Sequence, residues 1–200
     1  MSAPGSNDDL VAMYAAKAAA EAAEAGAAAG RSGPAAAAVL VLKGEPRLVA
    51  GGTGDADHSS GPLSPAEAEA VSRALGALGL PVDDLAALGT RAPAGHRAEA
   101  EGAAARRLAL AVEACDPAWI VALDLAAGAD AAAVLGVKRL DPGVARLEAG
   151  RVWLVVDGLE ASLDDPARKR RVWAQLKALG EIRPEGIPAP PRPKAPGAGA

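Results

Sequence analysis

Aromatic residues make up 2% of this 200-residue chain and phenylalanine is absent, so a core has little beyond aliphatic side chains to draw on. The single cysteine, Cys115, excludes an internal disulfide, a four-cysteine iron–sulfur cluster and a four-cysteine zinc site within one chain. With only two histidines, His58 and His96, a metal site would need both plus carboxylates; the expectation is no metal and no cofactor. An excess of positive charge is also missing. The 21 basic and 25 acidic residues leave a net charge of -4, so contact with phosphate backbones needs a local basic patch. No long apolar run free of charges has membrane character, and the alanine stretch of residues 15–29 is broken by Lys17, Glu21 and Glu24. The first residues carry no basic-then-apolar signal pattern. A reducing cytoplasm and no membrane partner are therefore expected.

What is abundant is less telling. Half of the residues are apolar, but much of that is alanine. The load of Ala, Gly, Pro and Arg reads as the bias of a GC-rich bacterial genome. The length fits one domain with tails. Residues 1–8 read as a disordered N-terminus, 9–182 as a single domain with an N-terminal helix over 9–30 and a core over 39–179, and 183–200 as a disordered Pro/Ala/Gly tail.

Within the domain, Leu10, Met13 and Tyr14 recur at i, i+3, i+4 and form an apolar stripe for docking the first helix. Val39-Leu40-Val41-Leu42 reads as a strand, Gly44-Glu45-Pro46 as a turn and Arg47-Leu48-Val49-Ala50 as its return strand. Ser64-Pro65-Ala66-Glu67 is a capping box with proline in the first helical position, and Val71, Leu75 and Leu78 follow at helical spacing. Leu85-Ala86-Ala87-Leu88 is a strand, residues 98–114 a helix, and Trp119-Ile120-Val121-Ala122-Leu123 an unbroken apolar strand suited to cover on both faces. A helix over 126–135, strand segments over 144–147 and 151–156, and a helix over 166–179 complete the pattern. Helices alternating with short apolar strands predict an α/β fold, a three-layer α/β/α sandwich with a mainly parallel central sheet.

In this order the chain resembles the uracil-DNA glycosylase superfamily, especially its bacterial members that carry an iron–sulfur cluster. The similarity covers residues 39–179. Leu48-Val49-Ala50-Gly51-Gly52-Thr53-Gly54 lies where those relatives have a strand and a Gly-Glu-Ala-Pro-Gly turn, and Gly61-Pro62-Leu63 where they have a uracil platform. Residues 85–93 take the place of a strand ending in asparagine and a basic Arg-Pro loop. Asp116-Pro117-Ala118-Trp119-Ile120-Val121-Ala122-Leu123 resembles the family's Arg-Pro-x-x-Ile-x-Ala-Leu-Gly strand. Val155-Val156-Asp157-Gly158 and the helix with Lys169, Arg170, Trp173 and Leu176 resemble the His-Pro loop and the helix after it.

The resemblance implies a fold, but its chemistry is vacant. In the family a carboxylate activates water, an asparagine reads the base edge, an aromatic ring stacks on the flipped base, and a loop histidine stabilises the departing base. Here the carboxylate position is Gly52, the asparagine position Ala87, the platform Leu63, and the histidine position Asp157 or Gly158. None of these can do the same work, and the cluster cysteines are gone. The set argues for a non-catalytic descendant, an accessory module in DNA repair or another branch of DNA metabolism.

Asp55, Asp57 and His58 form a solvated turn in the first reading and a displaced acid in the second, which would make the protein an active glycosylase with rearranged residues, Asp55 or Asp57 among them. Cys115 reads as buried and inert, with no histidine near in sequence to activate it. Arg168, Lys169, Arg170 and Arg171 are the strongest charged feature, read either as a solvated helix face or as a weak contact to DNA phosphates. A third reading is a replication accessory protein resembling the psi subunit of the bacterial clamp loader, which also lacks glycosylase residues.

Overall fold

The computed structural model describes residues 9–10, 12–14, 16–17, 30–34, 36–44, 61–91, 102–182 and 184. In chain order these give strand β1 (Arg31–Ser32), β2 (Val39–Lys43), helix α1 (Pro65–Ala77), β3 (Leu85–Gly89), α2 (Ala103–Cys115), β4 (Trp119–Ala122), α3 (Leu125–Val134), β5 (Arg146–Glu148), β6 (Arg151–Val155), the short α4 (Leu159–Ser162) and α5 (Pro166–Leu176). They build one six-stranded sheet in the order β1-β3-β2-β4-β6-β5. The four inner strands are parallel, and β1 and β5 close the edges antiparallel. This is the expected α/β architecture with helices on both faces.

The centre of the sheet follows from its sequence. Every residue of β2 and β4 is buried, because both edges pair with neighbours and both faces are covered. Period-two alternation sorts the side chains. Leu40, Leu42, Ile120 and Ala122 face α2 and α3 through Leu108, Val112 and Ala127. Val39, Val41, Val121 and Leu154 face α1 and α5 through Val71, Leu75, Val172 and Leu176. Each fully buried leucine or valine contributes about 1.5–3 kcal/mol of hydrophobic stabilisation. Part of the alanine load has a structural use here. Ala127, Ala131 and Ala132 are buried on α3, which lets this helix approach the sheet closely.

Helix ends match their sequence signals. Ser64 accepts from the Glu67 N–H while the Glu67 carboxylate accepts from the Ser64 N–H, a complete capping box before Pro65. Asp124 caps α3 and Asp165 caps α5.

Several boundaries differ from expectation. The described helix α2 starts at Ala103 rather than residue 98. β5 is shifted to Arg146–Glu148, with Val144 and Leu147 exposed. α5 gives way after Leu176 to a 3-10 turn over Lys177–Gly180, yet Leu179 is still buried. Trp173 is half-buried and packs against the α1–α5 layer of the core. Leu10 and Met13 are exposed on their helical segment. β1 and α4 were not anticipated. Both edges of β2 are filled by β3 and β4, and the return strand expected at Arg47-Leu48-Val49-Ala50 lies outside the described residues.

Candidate functional site

In an open parallel sheet, ligands bind beyond the carboxyl ends of the strands, where the chain connections diverge. Here β2 leads through α1 to β3 on one side, and β3 leads through α2 to β4 on the other side of β2. The divergence lies between the ends of β2 and β4. Lys43, Gly44, Leu123 and Asp124 are therefore the residues at that crevice, with Gly89 to Arg91 and Val156 to Glu160 beside it.

Lys43 is the last residue of the central strand and is buried. Its ammonium donates to Glu67 Oε1 at 2.6 Å and to Glu160 Oε2 at 2.8 Å. Glu67 is equally buried, whereas the Glu160 side chain is 36% exposed. Burial works to lower the Lys43 pKa, but the hydrogen bonds and charges of Glu160 and Glu67 outweigh it and hold the ammonium above its ordinary range. Burial likewise works to raise the Glu67 carboxyl, but the hydrogen bonds it accepts from Lys43 and from the Ser64 N–H outweigh it and hold the acid below its ordinary range. Both groups stay charged at neutral pH. The amine is thus neither a nucleophile nor a base, because its lone pair is protonated.

Asp124 joins the two diverging connections. One carboxylate oxygen accepts from the Ala127 N–H at 2.8 Å and the other from the Gly44 N–H at 3.0 Å. A side chain at Gly44 would collide with Ala126 and Asp124, its Cβ lying 2.5 Å from each, so only glycine lets the loop pass this close. Beyond β3, Asp130 on α3 accepts from the Thr90 hydroxyl at 2.7 Å and from the Arg91 guanidinium through both oxygens at 3.0 Å. Buried Arg107 of α2 donates to the Thr90 carbonyl. These groups fasten α2, α3 and the exit of β3 to one another.

The sequence-derived positions scatter. Ala87 is the third residue of β3, packed into the α1–α5 side of the core, and the strand continues to Gly89 and Thr90. Leu63 is partly buried against the same core layer. Asp157 sits in the exit of β6, its N–H donating to Gln175 Oε1 and its carboxylate 3.3 Å from Arg171. Gly158 has φ +129, which glycine adopts without strain, and it turns the chain into α4. Asp157, Gly158 and Arg171 are brought together; Leu63 and Ala87 do not join them. Gly52 and Asp55 lie outside the described residues, as do Asp57, His58 and His96.

Arg168, Lys169, Arg170 and Arg171 are all exposed on α5, as a solvated or phosphate-facing surface requires. They are not equivalent. Arg168 lies 3.5 Å from Asp165 and Arg171 3.3 Å from Asp157, while Lys169 and Arg170 have no ion-pair partner among the described residues. The start of α5 is itself filled by Asp165, whose carboxyl the N–H groups of Arg168 and Ala167 hold below its ordinary range. Beside this face an open groove of about 570 Å³ runs between α1 and α5, with Ala70, Ala74, Leu163, Val172 and Trp173 among its lining. Cys115 is buried; burial pushes its thiol up against the pull of Arg31, which donates to Sγ at 3.2 Å.

No family model matches this chain, and no curated protein matches it either. Among the described residues, no group of three or more His, Cys, Asp or Glu is arranged to hold a metal ion, and no helix is long and apolar enough to cross a membrane. The site residues that sequence reasoning missed are Lys43, Glu67, Glu160, Asp124 and Asp130. One signal was present. A lysine that ends a wholly apolar strand must find a counter-charge, and the capping-box glutamate was already placed at a helix start.

Proposed function

We propose that this chain is a non-catalytic protein of uracil-DNA glycosylase type, a binding or accessory module in the DNA metabolism of a bacterial cytoplasm. One observation carries the reading. At the carboxyl end of the sheet, Lys43, Glu67, Asp124 and Asp130 are engaged by neighbouring side chains or by backbone, whereas Lys169 and Arg170 stand exposed on α5 with no ion-pair partner among the described residues. A catalytic centre keeps polar groups poised for a substrate, while a phosphate-binding face keeps cations on the surface. DNA binding through this face is weak and independent of sequence. Fluorescence anisotropy with labelled single- and double-stranded oligonucleotides tests it: affinity should fall steeply with salt, and Lys169→Ala with Arg170→Ala should reduce the logarithmic salt slope by about 2. An unchanged slope would leave α5 as a solvated face.

Two other readings each have an observation in their favour. The neutralisation of Arg168 by Asp165 and of Arg171 by Asp157 favours protein docking over phosphate contact, as in an accessory protein resembling the clamp-loader psi subunit. The strand entering the crevice is β2, and it is followed in sequence by Gly44-Glu45-Pro46. Glu45, outside the described residues, then joins Asp55 as a candidate acid for an active glycosylase. Uracil release from DNA above that of a heat-treated control, abolished by Glu45→Gln or Asp55→Ala, would establish this enzymatic reading over the leading one.

A further inference from the structure

The last helix treats its cations in two ways, one on each flank. On the first flank Arg168 and Arg171 are paired with Asp165 and Asp157, and Gln175 accepts from the Asp157 N–H. On the second, Lys169, Arg170 and Lys177 are exposed and have no ion-pair partner among the described residues. The half-buried Trp173 stands in the middle of this second set. Lys169 comes four residues before it, Arg170 three before and Lys177 four after, so the helical repeat puts all four side chains within about 100° of arc. The Lys177 ammonium lies 5.7 Å from the centroid of the indole, as this placement requires. Trp173 and Lys169 also line the open groove beside α1, so the ring can be reached from solvent. Of the two carboxylates along that groove, Glu69 is bonded to Arg73, and Asp164 lies ahead of the first turn of α5.

Cations set around an aromatic ring suit a single nucleic-acid strand, whose phosphates meet the cations while an unpaired base stacks on the ring. A duplex would use the cations alone, because its bases are already stacked on one another. An acidic peptide would likewise leave the ring unused. We infer that this flank of α5 binds single-stranded DNA, with one base on the Trp173 indole and phosphates against Lys169, Arg170 and Lys177. In the free chain the Lys177 ammonium covers the ring by cation–π attraction. A base that takes its place on the indole leaves that ammonium to the adjacent phosphate. This choice of strand rests on the DNA reading proposed above, and it adds a stacking residue that phosphate contact alone does not need.

Titrating the full chain with oligothymidylate, and with a DNA duplex of the same length, tests this by anisotropy and by tryptophan fluorescence. Trp119 and Trp153 are buried, so a stacked base quenches mainly Trp173. The single strand should bind more tightly than the duplex and quench the emission, and the duplex should leave it unchanged. Trp173→Leu keeps apolar bulk without a π-face. It should weaken single-strand binding about ten-fold while the duplex affinity and the salt slope stay as they were. Trp173→Phe should retain most of the affinity, and Lys177→Ala should reduce the single-strand salt slope by about 0.7. If Trp173→Leu does not fold, quenching in the unaltered chain carries the test. Three results would each overturn the stacking role yet leave salt-dependent DNA binding standing: a duplex bound as tightly as the single strand, a single strand bound without quenching, or Trp173→Leu binding it as well as the unaltered chain. Absence of binding to either form would overturn both readings together.

Discussion

The charges at the carboxyl end of the sheet and those along α5 use the same residue types for opposite ends. Lys43 and Glu67 are buried together; without Lys43 the Glu67 carboxylate would be an unpaired charge in the core, and without Glu67 the Lys43 ammonium would keep only the more exposed Glu160. Arg168 and Arg171 are in water, and their pairs with Asp165 and Asp157 form between partly solvated groups. Breaking a buried pair strands a charge and costs several kcal/mol, whereas a surface pair contributes little. The first set therefore organises the fold, and the second is free to meet a partner.

The largest test of that contrast is Glu67→Ala. It leaves Lys43 with only half-exposed Glu160 and removes the capping box, so unfolding in urea should show a loss of about 3–5 kcal/mol. Replacing the pair together, Lys43→Met with Glu67→Gln, should recover much of it. A double variant as unstable as the single one would mean that the contact was not what mattered. Next, Asp130→Ala should cost about 2–3 kcal/mol by the same measurement, since it unpairs the Thr90 hydroxyl and the Arg91 fork.

Stability should also follow pH in a way set by the buried pair. The Glu67 carboxyl is depressed in the fold, so its contribution is present above its ordinary value of 4.5 and is lost as pH falls through the lower folded value. The Lys43 ammonium is raised, so its contribution is present below its ordinary value of 10.5 and is lost as pH rises through the higher folded value. Thermal melts should show a plateau between those limits, and the acid limb should become shallower in Glu67→Gln. Smaller again is Trp173→Ala. Its indole is half-buried at the groove, so the loss should be nearer 1–2 kcal/mol than the several expected of a core tryptophan. Arg168→Ala with Arg171→Ala should change stability by no more than about 0.5 kcal/mol, and a larger loss in a chemical melt would show their pairs to be structural.

How much of this was readable in the sequence depends on the range of the interaction. β2 and β4 were legible because a parallel strand covered on both faces has to be apolar throughout, and Ser64 to Glu67 because a capping box is contained in four residues. The Lys43–Glu160 bond spans 117 positions, and nothing local announces it. Two-residue β1 and four-residue α4 are too short to carry a period. In Leu85-Ala86-Ala87-Leu88 the repeated alanine hid which residue ends the strand, which continues to Gly89. The carboxyl-end cluster escaped notice because its members lie on separate elements and converge only in the folded sheet.

Asp124 binds the Gly44 and Ala127 amides with one carboxylate, and the first of these is 80 positions away in the chain. Evolutionary constraint should fall on positions 44 and 124 as a pair, because glycine alone fits beside that carboxylate and no other short acceptor spans both amides. A lineage that changed one would be driven to change the other. An unvarying glycine after the first parallel strand, so easily taken for the mark of an enzyme, would here record the joint between two loops.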